Sequence, residues 1–206
     1  MRNDEHFWWA TLVRGLIATA AGSSIMVIPG MARTILLLPI AIAFSILGLA
    51  FYGTMDSVLV IITSFMAGSR NSRIALRIQG AIGIVAGILL YWVFFEQVRL
   101  YWFLILIAAQ TLVTSVGEFL VARHSKAHAI SRWNYGVAAV SLTFSCVYLY
   151  LAFAFQDRLA PQDISWFIYG YLLAFGVAQC LTAARMLYED FHVQLSDGAE
   201  EEQRIA

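Results

Sequence analysis

Lysine is nearly missing from this chain: Lys126 stands alone, and Asp, Glu, Lys and Arg together make up 13% of 206 residues. The 13 basic and 13 acidic residues cancel, so no basic stripe is available to neutralise nucleic-acid phosphates, and nucleic acid is not an expected partner. Cysteine is also scarce. Cys146 and Cys180 lie singly inside apolar runs, without the paired spacing of a redox or zinc motif, and read as reduced, buried packing residues. No HExxH, GxSxG, phosphate-binding loop or dinucleotide fingerprint occurs. The expectation is a protein that is not an enzyme and holds no cofactor and no metal.

What is abundant is apolar surface. Hydrophobic residues make up 61% and aromatics 14% of the chain, and the mean hydropathy is +0.75, beyond the range of water-soluble domains. The lipid bilayer is the expected surroundings. About 20 apolar residues cover a hydrocarbon core roughly 30 Å thick. Runs near that length fall at about 8–28, 41–67, 75–95, 100–122, 134–155 and 164–187. The first follows a leader, MRNDEH, that carries two acids and lacks a signal-type cleavage site, so it reads as a span rather than a cleaved signal. Residues 31–66 are too long for one straight crossing and contain Pro39; the preferred reading is a short interfacial segment before Pro39 and then one helix, the rival a division near Gly53. Asp163, after Pro161, is a natural N-cap for the last helix.

Orientation follows the basic residues, which cytoplasmic loops retain. With the N-terminus inside and six spans, Arg2, Arg14, Arg70, Arg73, Arg77, Arg123, Lys126, Arg132, Arg185 and Arg204 fall on the cytoplasmic side, leaving Arg33, Arg99 and Arg158 outside. Both termini are therefore expected in the cytoplasm, with residues 1–190 one transmembrane domain and 191–206 a disordered acidic tail ending near Glu200, Glu201 and Glu202. Trp8, Trp9, Trp92, Tyr101, Trp102, Trp133 and Trp166 sit near span ends and read as an interfacial belt.

The odd-numbered spans share a pattern: Arg14-Gly15 with Gly22, Gln79-Gly80 with Gly87, and Tyr135-Gly136 with Thr143. In each, a polar or amphipathic residue precedes a glycine, and a small residue follows seven further on. Seven residues is close to two helical turns, so each small pair shares a face that lets a neighbouring backbone approach. Gly15, Gly22, Gly80, Gly87 and Gly136 are accordingly helix-packing candidates. The even spans echo one another around Glu118 and Gln179. Together these imply an all-α polytopic membrane bundle built as three tandem helical hairpins, with the glycine-bearing odd helices central.

Trp8-Trp9, Arg14-Gly15, Gly22 and Pro29-Gly30, with Tyr52 and Asp56 in the second span and Thr114, Gly117 and Glu118 in the fourth, give a pattern that resembles the HdeD-type acid-resistance membrane proteins. The likeness extends over most of residues 7–187. It departs in the extra dozen or so residues around 31–43 and in lacking a tryptophan-proline turn after the third and fifth spans. The resemblance implies a six-helix protein of the bacterial inner membrane, linked in some members to survival of acid, with no catalytic or transport mechanism to carry across.

An ionisable side chain in hydrocarbon costs about 2.5–3.5 kcal/mol on insertion scales, which makes each one a candidate. Arg14, Asp56 and Glu118 qualify. Arg14 and Glu118 fall at similar depth and are placed to pair, with Gln79, Tyr135 and Gln179 around them, while Asp56 falls nearer the centre and should stay protonated unless paired. His124 and His128 are four apart but lack a third ligand, and read as a solvated loop. Two functions compete: a non-enzymatic stress or acid-resistance factor acting by packing, homo-oligomerisation or binding a membrane partner, and a small proton, ion or solute transporter using Asp56, Glu118 and Arg14. A third, a membrane-embedded enzyme, would have only the vicinity of Arg14 and Glu118 to draw on.

Overall fold

The structure, a computed structural model, describes residues 8–31, 38–67, 69–95, 100–124, 128–155 and 161–205, with side chains over 8–25, 47–67, 69–92, 101–124, 131–155, 166–189 and at 191. Six α-helices account for nearly all of them: α1 (Trp8–Met31), α2 (Leu38–Met66), α3 (Arg70–Phe95), α4 (Leu100–His124), α5 (His128–Ala154) and α6 (Pro161–Ile205). α2 is a single helix with Pro39 in its first turn, where a missing N–H leaves no bond unmade, and it passes through Gly53 unbroken. The division near Gly53 does not occur. The interfacial segment expected before Pro39 lies largely outside the described residues.

Helix ends follow local chemistry. Ser69 Oγ accepts the backbone N–H of Ser72 at 3.0 Å, satisfying one of the donors that a helix start leaves open. The cap starts α3 at Arg70, a turn or more before the apolar run. Arg73 Nε donates to the Ala67 carbonyl at 2.6 Å, setting a cation against the end of α2 where the helix dipole favours it. α6 starts at Pro161, so Asp163 falls in its first turn rather than at the cap.

α6 also corrects the expected tail, since it stays helical to Ile205. Once a helix is nucleated each added residue costs little, and Glu200, Glu201, Glu202, Gln203 and Arg204 are strong helix formers. His124 ends α4 and His128 begins α5, so the two share no helix face.

Among the described residues, five helices are long and apolar enough to cross a membrane, over Leu47–Met66, Arg70–Trp92, Tyr101–His124, Ser131–Ala154 and Trp166–Glu189. The described side chains of α1, over 8–25, include the polar Thr11, Arg14, Thr19, Ser23 and Ser24. The distribution of polarity is inverted relative to a soluble protein. Only 39–50% of each span is buried, and the outward faces carry Phe51, Phe65, Ile78, Val85, Trp92, Tyr150 and Phe153, each more than half exposed. Arg14, Asp56, Gln79, Glu118, Asn134 and Gln179 are buried instead. Exposed apolar area on this scale needs a non-aqueous cover, and a lipid bilayer around the spans supplies it.

The helices form a ring in chain order, each packed chiefly on its two sequence neighbours, with α1 closing on α6. Contact is most extensive at α4–α5, α1–α6 and α2–α3 and slighter at the three junctions between. No helix lies at the centre, which corrects the expectation that the odd helices do; side chains fill the interior. Towards the end formed by the start of α6 and the close of α5, aromatic rings close it. Tyr148 and Tyr171 have ring centroids 6.3 Å apart, Tyr171 and Phe175 5.6 Å, and Leu90, Phe103 and Leu104 pack into the same cluster. Tyr148 donates its hydroxyl to the Phe167 carbonyl at 3.1 Å.

The close junctions use different devices. At α1–α6, a Cβ on Gly15 would lie 2.8 Å from the Gly176 carbonyl, and one on Gly176 equally close to the Gly15 carbonyl. Gly22 lies under Leu172, while Gly80 and Gly87 make room for Ser57, Ile61 and Thr54 of α2. α4–α5 relies on hydroxyls: Ser115 donates to the Ala138 carbonyl and Ser145 to that of Ala108, both at 2.8 Å. Gly136 departs from its expected role, with open space around it. The buried face of α5 runs through Asn134, Ala138, Ser141, Ser145, Tyr148 and Ala152, and Gly136 lies about 200° of helical rotation from Asn134.

Candidate polar site inside the bundle

Four helices bring polar groups to one place. Arg14, in the second turn of α1, donates from Nε to Asp56 Oδ1 at 2.8 Å and from Nη2 to Oδ2 at 3.4 Å. Its Nη1 donates to Glu118 Oε1 at 2.8 Å. Gln179 Nε2 donates to that same oxygen at 3.1 Å. The guanidinium carbon also lies 5.8 Å from the Phe175 ring centroid. α1, α2, α4 and α6 are thus tied by side chains that are each at least nine-tenths buried.

Arginine suits this position because its planar fork keeps its charge and addresses two carboxylates with fixed geometry, which a lysine ammonium does not. Burial of the group removes water from all three charges, a penalty that mutual attraction and hydrogen bonding largely offset. Two carboxylates face one guanidinium, so the cluster carries an excess of one negative charge when all three are ionised. Among the described residues no second Lys or Arg is ion-paired with Asp56 or Glu118. Chemically, the arrangement can hold helices in register and can take up one positive charge.

Asp56 therefore has a cationic partner, and the expected pairing of Arg14 with Glu118 is joined by a second carboxylate. Gln79 is buried nearby on α3, with neither amide atom finding a partner among the described residues. It lies across Gly117 of α4, where a Cβ would overlap its amide. Tyr135 does not join the cluster. Its ring faces outward, 38% exposed, edge-on to Phe119 at 5.4 Å between centroids, because Asn134 rather than Tyr135 is on the inner face of α5.

Sequence reasoning missed Ser57, Gln110 and Phe175. The signal for Gln110 was available: Gln110, Thr114 and Glu118 recur every four residues on α4 and so share a face. Ser57 is adjacent to Asp56 and carried no independent mark. Phe175 is four before Gln179 on α6, but aromatic residues are too common in these spans to single it out. Compared with protein-family models, with curated proteins and with solved structures, the chain finds no match.

Proposed function

We propose that this chain is a non-enzymatic six-span protein of the bacterial inner membrane, of the HdeD type, in which the Arg14–Asp56–Glu118 cluster locks the helices together. One observation carries the reading: the three ionisable side chains the sequence puts at membrane depth are spent on one another. The aromatic cluster around Tyr148, Tyr171 and Phe175 fills the ring interior towards one end, which favours a lock over a passage. On this reading the protein acts in stress or acid survival by packing, by self-association or by binding another membrane protein. Three tandem hairpins with both termini cytoplasmic are part of the proposal. Extensive contacts fall between successive hairpins and slight ones within them, an alternation that supports a threefold repeat, and the ten-to-three bias of Lys and Arg supports the orientation.

A second reading, proton- or ion-linked transport, is favoured by the excess negative charge of the cluster. Reconstitution into liposomes separates the two. Across a pH step the lock predicts no proton flux above that of empty vesicles, whereas flux that vanishes in Asp56→Asn or Glu118→Gln identifies a transporter.

A further inference from the structure

Beside Asp56, between α2, α3 and α4, the packing leaves a small cavity whose polar border is Asp56, Ser57, Gln79, Gln110 and Thr114, with Val60 and Val113 completing the wall. The centre of a water-sized particle has about 10 Å³ in which to move there, roughly the room one water or one small dehydrated ion needs. We propose that this cavity binds a single monovalent cation of sodium's size. The inference is independent of the lock reading.

The first argument is the direction of the hydroxyl protons. Ser57 donates its proton to the Gly53 carbonyl at 2.6 Å, and Thr114 donates its own to the Gln110 carbonyl at 3.0 Å. With their protons committed to their own helices, both oxygens have only lone pairs left for the cavity. The Asp56 carboxylate adds an acceptor, and hard oxygen donors of this kind suit hard cations.

Gln79 supplies an independent mark. Its side chain borders the cavity, is 95% buried, and leaves both amide atoms unpartnered among the described residues. A buried amide without a partner is destabilising, and an ion in the cavity would give its carbonyl oxygen one. Three glycines make room for the polar side chains around the cavity, of which Gly83 borders it. Gly53 lies under Gln110, Gly83 under Ser57 and Gly117 under Gln79, each so close that a Cβ would collide with the polar side chain above it.

Charge fixes the valence. The adjacent cluster holds two carboxylates against Arg14, so one monovalent ion brings the region to neutrality, whereas a divalent ion leaves a net positive charge buried.

Thermal unfolding of the purified full chain in detergent tests this, with sodium chloride replaced stepwise by choline chloride at constant ionic strength. The midpoint is expected to rise with sodium, as binding to the folded state requires. In Thr114→Val, which keeps the volume and removes the hydroxyl, the apparent sodium affinity should fall at least tenfold. Gln79→Leu should do the same, and Gly136→Ala, remote from the cavity, should respond as wild type. A midpoint equal in sodium and choline, as for a cavity that holds water alone, overturns the proposal. So does a folded Thr114→Val with an undiminished sodium response.

Discussion

Arg14 faces Asp56 with two nitrogens, Nε at 2.8 Å from one carboxylate oxygen and Nη2 at 3.4 Å from the other. That side-on approach leaves Nη1 to reach Glu118 at 2.8 Å, so one guanidinium bridges residues that lie on α1, α2 and α4. A point charge at the same place could not keep all three contacts. Arg14→Lys should therefore lower stability by about 1.5–3 kcal/mol, the worth of a lost hydrogen bond to a charged group. Chemical unfolding in mixed micelles would read it, and an unchanged midpoint would show that the fork geometry has no role.

The glycines separate into two groups with opposite expectations. Gly176→Ala sets a methyl 2.8 Å from the Gly15 carbonyl, with a cost of about 1–3 kcal/mol from overpacking. Gly136→Ala meets open space and should stabilise α5 by about 0.8–1 kcal/mol through helix propensity. Paired thermal melts test the contrast.

At α4–α5 the serine hydroxyls act between helices. Ser115→Ala and Ser145→Ala each remove one hydrogen bond to a carbonyl of the facing helix. Interhelical hydrogen bonds in membranes average about 0.6 kcal/mol, so each variant alone should show a small loss and the double variant about twice that.

The aromatic end offers a graded test. Tyr148→Phe loses the hydroxyl contact with Phe167, at about 1 kcal/mol. Tyr148→Ala empties a fully buried ring position, at about 3–5 kcal/mol. Unfolding midpoints in the order wild type, Tyr148→Phe, Tyr148→Ala are expected; Tyr148→Ala at the wild-type midpoint would mean that the cluster is not packed.

Apolar run length was enough to locate the helices, because a bilayer imposes a minimum span that few other forces mimic. Helix ends shifted where a single side chain intervened, as Ser69 does for α3. Arg14, Asp56, Glu118 and Gln179 were legible because each is costly in lipid. What failed was rotation about the helix axis. Reading α5 by analogy with Arg14-Gly15 put Tyr135 inside, yet the residue before it, Asn134, is buried; a shift of one residue turns a side chain by about 100°. The ring itself was not legible, since neighbour choice among six similar apolar helices depends on close backbone contacts such as Gly15 with Gly176, which leave no long-range mark in composition.

The central claim is that Arg14, Asp56 and Glu118 act as one unit. The most direct test compares unfolding free energies of Arg14→Met and of the triple variant Arg14→Met with Asp56→Asn and Glu118→Gln. Removing the guanidinium alone strands two buried carboxylates and should cost about 3–5 kcal/mol, whereas neutralising all three should recover most of that loss. A triple variant less stable than Arg14→Met, by the sum of the separate Asp56→Asn and Glu118→Gln effects, would contradict the account.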